Sequence, residues 1–205
     1  MTRRARSPAP WIAVMVLLVA ASHDAAGQAS ARSGFWLEAG WGAGTVRSAC
    51  SACPSVTVAY GTSTHLRAGT ALSARALLGL EFFALHSTDL VLADGTPPVD
   101  AENGSIAPVV IWYVGRSGLF LKGGVGLARG TFTVRSTSGE PVTTERTGSA
   151  ITFGVGFDLG VARRFALTAN LGMNVAAIGD VDVDGTVADD VVATVYEAAV
   201  GITLR

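Results

Sequence analysis

Residues 150–175 read AITFGVGFDLGVARRFALTANLGMNV, a stretch in which apolar residues alternate with small or polar ones. One parity of the first run is apolar: Ile151, Phe153, Val155, Phe157 and Leu159. The second run repeats the pattern on Phe165, Leu167, Ala169, Leu171, Met173 and Val175. A period of two is typical of β-strands, so the two runs predict a hairpin with a tight turn at 161–164.

The two faces of this hairpin differ in size and charge. The small face carries Gly, Thr and Asn with a single charge, Asp158. Small side chains and glycines suit the inside of a narrow closed barrel, where side chains converge. The large uncharged face must then point outward, and only lipid accepts such a surface around a whole barrel. The stretch therefore predicts a membrane-spanning β-barrel.

The first residues predict export from the cytoplasm. Arg3, Arg4 and Arg6 precede an apolar run at 11–21 and a stretch of small residues. This pattern is typical of a secretory signal peptide, and the run is shorter than the roughly 20 residues of a membrane-spanning helix. We expect a signal peptide at 1–27, with cleavage as late as residue 31, followed by a barrel domain at 34–205. The expected location is the cell outer membrane.

The rest of the chain predicts seven connections between eight strands. The predicted strands are 34–45, 63–71, 76–87, 105–113, 118–133, 150–160, 165–175 and 192–204. Short turns at 72–75, 114–117 and 161–164 alternate with long polar connections at 46–62, 88–104, 134–146 and 177–191. This alternation predicts an all-β protein, an eight-stranded antiparallel up-and-down transmembrane β-barrel with short periplasmic turns and long external loops. The inward face of the third and fourth strands stays open, and Trp112 and Tyr113 are expected in an interfacial aromatic girdle.

Over 34–205 the chain resembles the small eight-stranded outer-membrane barrels of the OmpA and OmpX type. The segment WYVGRSGLFLKGGVG, residues 112–126, is similar to a hairpin segment found in many bacterial members of that group. The resemblance implies an outer-membrane barrel with ionic clusters inside. Expected partners are outer-membrane lipid and the barrel assembly machinery, and the expected state is a monomer without a cofactor. Removing residues 1–27 leaves 12 basic and 15 acidic side chains, a formal charge of −3, which argues against nucleic acid as a partner.

Six charged residues fall on the predicted inward parities: Glu38, Arg67, Glu81, Lys122, Asp158 and Glu197. Isolated charges inside a narrow barrel are costly, so these six should pair into a network. About eight strands leave an interior just wide enough for side chains, which favours a polar plug. A gated ion or proton pathway is the alternative.

The two cysteines, Cys50 and Cys53, fall in the first long connection. In an oxidising compartment they predict a loop disulfide. A thioredoxin-like motif would need a βαβ context, and a metal site would need more ligands than two thiolates and His65. These two alternatives remain open at this stage.

The acidic stretch 179–190 resembles half of a calcium-binding loop. Asp180, Asp182 and Asp184, with Gly185, match the first half of an EF-hand loop, but its twelfth position is Val191 instead of Glu. We expect a solvated acidic loop, with a weak divalent-cation site as the alternative.

The mature chain keeps two histidines, His65 and His86, which are expected at different heights on their strands. No set of nucleophile, base and orienting group is visible, so we expect no enzyme. The sequence favours an outer-membrane barrel with a filled lumen, acidic external loops and a structural or surface-interaction role. The alternative is a narrow channel or a barrel that binds or transports a small ligand.

Overall fold

The computed structural model describes residues 33–50, 57–90, 99–115, 117–135, 141–162, 164–183 and 186–205. The predicted signal peptide, 1–27, lies outside the described residues. In the described ranges no helix is long and apolar enough to cross a membrane.

Eight antiparallel strands form a closed barrel in which each strand pairs with its neighbours in the chain and β1 also pairs with β8. The strands are β1 (Phe35–Ala49), β2 (Thr57–Ala71), β3 (Ala76–Leu90), β4 (Val99–Tyr113), β5 (Leu119–Arg135), β6 (Pro141–Ala162), β7 (Phe165–Val183) and β8 (Thr186–Leu204). Following the paired residues once around the barrel shifts the register by ten residues. Such a stagger requires tilted strands, as in other closed barrels. The predicted eight-stranded up-and-down barrel is confirmed.

The predicted long connections are wrong, because strands occupy most of them. The strand ends leave only 50–56, 91–98, 136–140 and 184–185 between the hairpin partners. β6, β7 and β8 are 22, 19 and 19 residues long, whereas β1 to β4 have 15 residues each. The barrel is therefore taller on the side of β6 to β8.

Each strand has a half near the short turns and a half near the opposite end. The turn half comprises 35–44, 65–71, 76–84, 106–113, 119–127, 150–162, 165–175 and 196–204. The rim half comprises 45–49, 57–64, 85–90, 99–105, 128–135, 141–149, 176–183 and 186–195.

Outward side chains of the turn half are apolar and exposed, as a lipid-facing wall requires; examples are Trp41, Phe82 and Phe153. None of its outward side chains carries a charge among the described residues.

The rim half has the reverse polarity. Its outward face includes Arg47, Glu102 and Arg129, whereas Leu85 and Phe132 are buried inside. A wall that meets water needs polar side chains outside and apolar ones inside, as in a soluble barrel. The side chains alternate between the two faces in both halves, but the apolar side chains face outward in the turn half and inward in the rim half. This reversal explains why the strands were predicted too short: the outward residues stop being apolar at the rim, and the polar segments there were interpreted as loops.

The structure also settles the facing of the third and fourth strands. On β3, Phe83 and Leu85 point inward with Glu81; on β4, the buried parity includes Val109 and Tyr113. The aromatic-girdle prediction is correct in position for Trp112, which is 52% exposed, and wrong for Tyr113, which is 2% exposed inside the barrel. Neighbouring residues of one strand point to opposite faces, so only one of the two can meet lipid.

Candidate functional site: the filled lumen

Four of the six predicted lumen charges form one hydrogen-bonded group, the central cluster of Glu38, Arg67, Glu81 and Lys122. Arg67 donates to Glu38 Oε1 from Nη1 at 2.6 Å and to Glu81 Oε2 from Nε. Lys122 Nζ donates to the same Glu81 oxygen at 2.5 Å. All four residues are buried. Charge-assisted hydrogen bonds of this kind offset part of the cost of placing ions away from water.

The register of the strands explains why these residues meet. Glu38 is paired with Arg67 across β1 and β2, and Arg67 is paired with Glu81 across β2 and β3. Directly opposite residues on one face of a sheet have neighbouring side chains. Lys122 reaches Glu81 from β5 across the lumen, which local pairing does not explain.

Two further partners complete the central cluster. His65 shares a hydrogen bond of 3.1 Å between Nε2 and Glu38 Oε1, and Thr152 Oγ1 donates to Glu81 Oε1 at 3.2 Å. His65 lies two residues before Arg67, so the period of two could have identified it as an inward residue. His86, by contrast, points outward on β3.

Asp158 belongs to a second group near the short turns, the floor cluster of Asp158, Tyr113, Thr168 and Arg205. Asp158 accepts hydrogen bonds from Tyr113 Oη at 2.5 Å, from Thr168 Oγ1 at 2.8 Å and from Arg205 Nη2. Arg205 also donates to Tyr113 Oη at 3.0 Å. The inward charges thus form separate groups and differ from the single network that the sequence predicted. Arg205 was not expected in the lumen, since the strand pattern ends before it.

Glu197 makes no direct hydrogen bond to either cluster among the described residues. It accepts a hydrogen bond from Asn170 Nδ2 at 2.9 Å. Its other oxygen, the Oδ1 atom of Asn170 and the Nη2 atom of Arg67 are buried without a hydrogen-bond partner among the described residues. Buried polar atoms of this kind normally bond to internal water. This level of the lumen is therefore suited to hydration.

Two apolar layers lie inside the barrel, one on each side of the central cluster. Toward the rim, Val46, Leu85 and Phe132 belong to a continuous buried cluster. Toward the turns, Trp36, Ile111 and Phe120 form another with Tyr113, whose ring lies edge-on to Phe120 with centroids 5.6 Å apart. The lumen thus contains the central cluster between two layers of packed apolar side chains, and the floor cluster meets the turn-side layer at Tyr113.

Two of the remaining predicted site residues, Cys50 and Asp180, lie at the rim end of the barrel. Cys50 follows β1 and is disulfide-bonded, and Cys53 lies outside the described residues. Asp180 accepts a hydrogen bond from the backbone N–H of Asp190 at 3.0 Å, so it stabilises the β7–β8 hairpin.

The structure changes the context of the proposed calcium loop. β7 extends to Val183 and β8 begins at Thr186, so a strand hairpin replaces most of the expected loop. Alternate side chains of a strand lie roughly 6–7 Å apart and do not converge as EF-hand ligands do. Asp184 and the side chain of Asp182 lie outside the described part. Within that part no three His, Cys, Asp or Glu residues are grouped to hold a metal ion.

Comparisons with known proteins agree with this architecture. Residues 12–202 match the family model of the outer membrane protein beta-barrel domain. No curated protein sequence matches the chain significantly.

Two solved structures illustrate the likeness in fold. The Neisserial surface protein A is 20% identical, with a TM-score of 0.53 over 84% of this chain and 97% of that chain. Ail, the attachment invasion locus protein of Yersinia pestis, is 13% identical, with a TM-score of 0.54 over 84% of this chain and 99% of that chain. Ail has also been solved in complex with the heparin analogue sucrose octasulfate. At these identities the likeness is one of fold alone.

Proposed function

The chain belongs to the outer membrane protein β-barrel family and is a protein of the cell outer membrane, and from this we propose that it is a non-conducting barrel whose rim half interacts with partners at the cell surface. The filled lumen carries the first part of the proposal. Both apolar layers consist of packed side chains, and four of the ions between them, Glu38, Arg67, Glu81 and Lys122, are paired with one another. A barrel closed in this way offers its outer surface for function, while its interior stabilises the fold.

The rim half supplies the surface for the second part. The predicted long connections contain 11 of the 15 acidic residues of the mature chain, and the other four are Glu38, Glu81, Asp158 and Glu197 in the lumen. The same connections contain only three basic residues, Arg47, Arg135 and Arg146, and the rest of the rim half adds one more, Arg129. Short turns of outer-membrane barrels face the periplasm, so this acidic rim faces outward. An excess of negative charge attracts cationic partners over a distance set by the ionic strength.

Ail provides a contrast, because it has been solved with a polyanion, the heparin analogue. The acid excess on the present rim favours the opposite sign of partner. We therefore propose basic proteins or other cationic surfaces as partners, together with outer-membrane lipid around the turn half. We also propose insertion by the barrel assembly machinery, a monomeric state and no catalytic or cofactor role.

Conductance tests the closed lumen. Purified barrel inserted in planar bilayers should give no steady current across a range of voltages. Steady open-channel currents would instead support the narrow-channel alternative, which the unpartnered oxygen of Glu197 favours by suggesting a hydrated level in the lumen.

Surface binding tests the acidic rim. Barrel in neutral vesicles should bind a polylysine surface more strongly than a heparin surface, and added salt should weaken that binding. The double variant Glu102→Gln/Glu145→Gln should bind polylysine less, whereas Arg47→Gln should bind it more. Equal binding by all three proteins would contradict the proposal.

A further inference from the structure

The outer wall contains a groove of about 940 Å³ where the two halves of the barrel meet. Its turn-side wall includes Leu66, Phe82 and Leu127, which point away from the lumen and are 44%, 47% and 66% exposed. Its rim-side wall includes Ala84, Gly104 and Arg129, and the carboxylate residue Glu102 lines it as well. The groove is distinct from the lumen, and its rim end adjoins the acidic surface discussed above, because Glu102 lines it and Glu145 is paired with Arg129.

The strand register explains the shape of the groove. Leu66 is paired with Phe82 in one row of outward residues, while Ala84, Gly104 and Arg129 are paired successively in the next. Ala84 and Gly104 are too small to fill the space between the rows. A Cβ atom at Gly104 would meet only two backbone oxygens, 3.5 and 3.8 Å away. A larger side chain at this position would therefore fill the groove without disturbing the wall.

The groove rises obliquely from the membrane interior toward the rim. Its low end is at Ala39, four residues from the start of β1, and its high end is at Thr147, fifteen residues before the end of β6. The groove crosses from β1 to β6, and these five strand spacings make it about 24 Å long. Strands tilted by about 45° place it at a similar angle, so it rises by about 17 Å. One leaflet makes up half of the hydrocarbon core, about 15 Å, so the groove spans about one leaflet.

Polarity changes along the same path. The low end is apolar, whereas the high end has Thr147 and Arg129, whose guanidinium contacts Glu145 at 2.6 Å and remains 62% exposed. An acyl chain below a charged headgroup has the same order of polarity. A water-soluble partner could not reach the low end, and a second barrel would present a convex wall to it.

We propose that this groove binds one acyl chain of an outer-leaflet lipid and that Arg129 contacts the phosphate of its headgroup. The apolar lower wall excludes water from the chain, and the guanidinium fork suits a phosphate group. The proposal needs no cationic partner at the rim, although Glu145, which the polylysine test changes, is paired with Arg129.

Native mass spectrometry of the refolded barrel with added lipid A tests the groove. Gly104→Leu should lower the lipid-bound fraction about tenfold, because the leucine side chain occupies part of the space that the acyl chain needs. The matched control is Gly123→Leu, because Gly123 also faces outward and a Cβ there meets nothing within 4 Å. This control should bind lipid A like the unchanged protein, and a gel-mobility shift on boiling should show that both variants are folded.

The headgroup contact is tested with phosphate-free lipid A. Arg129→Gln should weaken binding of lipid A but leave binding of the phosphate-free form unchanged, and Arg47→Gln should affect neither. The proposal fails if Gly104→Leu binds as well as the unchanged protein, or if Gly123→Leu loses as much lipid. A dimer mass that Gly104→Leu abolishes would assign the groove to a second copy and overturn the proposal.

Discussion

The turn half and the rim half of this barrel are built from the same eight strands, yet their polarities are opposite. In the turn half, Phe153 and Trp41 face outward and Glu81 faces inward. In the rim half, Arg129 and Glu102 face outward and Leu85 faces inward. The backbone pairing continues through both halves, so the strand itself does not dictate which face is apolar. The surrounding medium does, because lipid accepts apolar side chains and water accepts charged ones.

The comparison also separates two ways of filling a barrel. The rim half has an apolar core, which gains stability from area removed from water. The turn half surrounds charged residues with lipid outside, so its interior depends on complete pairing of those charges. Substitutions inside the rim half should therefore destabilise the barrel through lost packing, and substitutions inside the turn half should do so by leaving buried charges unpaired.

The largest expected effect is that of Glu81→Leu in the central cluster. Lys122 and part of Arg67 would lose their shared carboxylate, and breaking a buried pair in this way costs about 3–5 kcal/mol. The measurement is denaturant unfolding in detergent micelles. Glu145→Leu is the control, since its pair with Arg129 is exposed and is worth about 0–1 kcal/mol. Equal losses of unfolding free energy in the two variants would contradict the expected difference between buried charges and rim charges.

Leu85→Ala should come next, because it opens a cavity in the rim core. Leu85 is 0% exposed, and truncating a buried leucine costs about 2–5 kcal/mol. Leu80→Ala on the same strand is the matched control. Leu80 faces outward in the turn half, where lipid chains can occupy the space it leaves. A larger loss for Leu80→Ala in the same unfolding experiment, performed in lipid vesicles, would show that the rim interior is not a packed core.

A pair of arginine substitutions on β6 has a smaller expected effect and locates the boundary between the halves. Phe153→Arg should cost about 2–4 kcal/mol, because it places a charge in lipid near the midplane. Thr147→Arg has the same outward parity but lies at the rim, where the cost falls to about 0–1 kcal/mol. Folding into vesicles at increasing urea concentrations measures both. Equal tolerance of the two variants would mean that the lipid boundary lies elsewhere on β6.

The sequence by itself determined most of the turn half, and only the facing of β3 and β4 was left to the structure. A period of two indicates strands, and an uncharged outward face indicates a closed barrel surrounded by lipid. The inward parity already contained Glu38, Arg67, Glu81 and Lys122. These features depend on which side of one strand a residue occupies, and that information is local. The family match and the closed strand order confirm the fold that it predicted.

Only the tertiary structure decided which of these groups meet and how far the strands extend. Lys122 and Glu81 are 41 residues apart in sequence, and Arg205 and Asp158 are 47 apart; these contacts arise from the stagger of a closed barrel. The rim strands were missed because their apolar parity reverses where water replaces lipid outside. An alternating sequence shows two faces but does not name the medium that each face will meet, and that depends on the closed barrel and its position in the membrane.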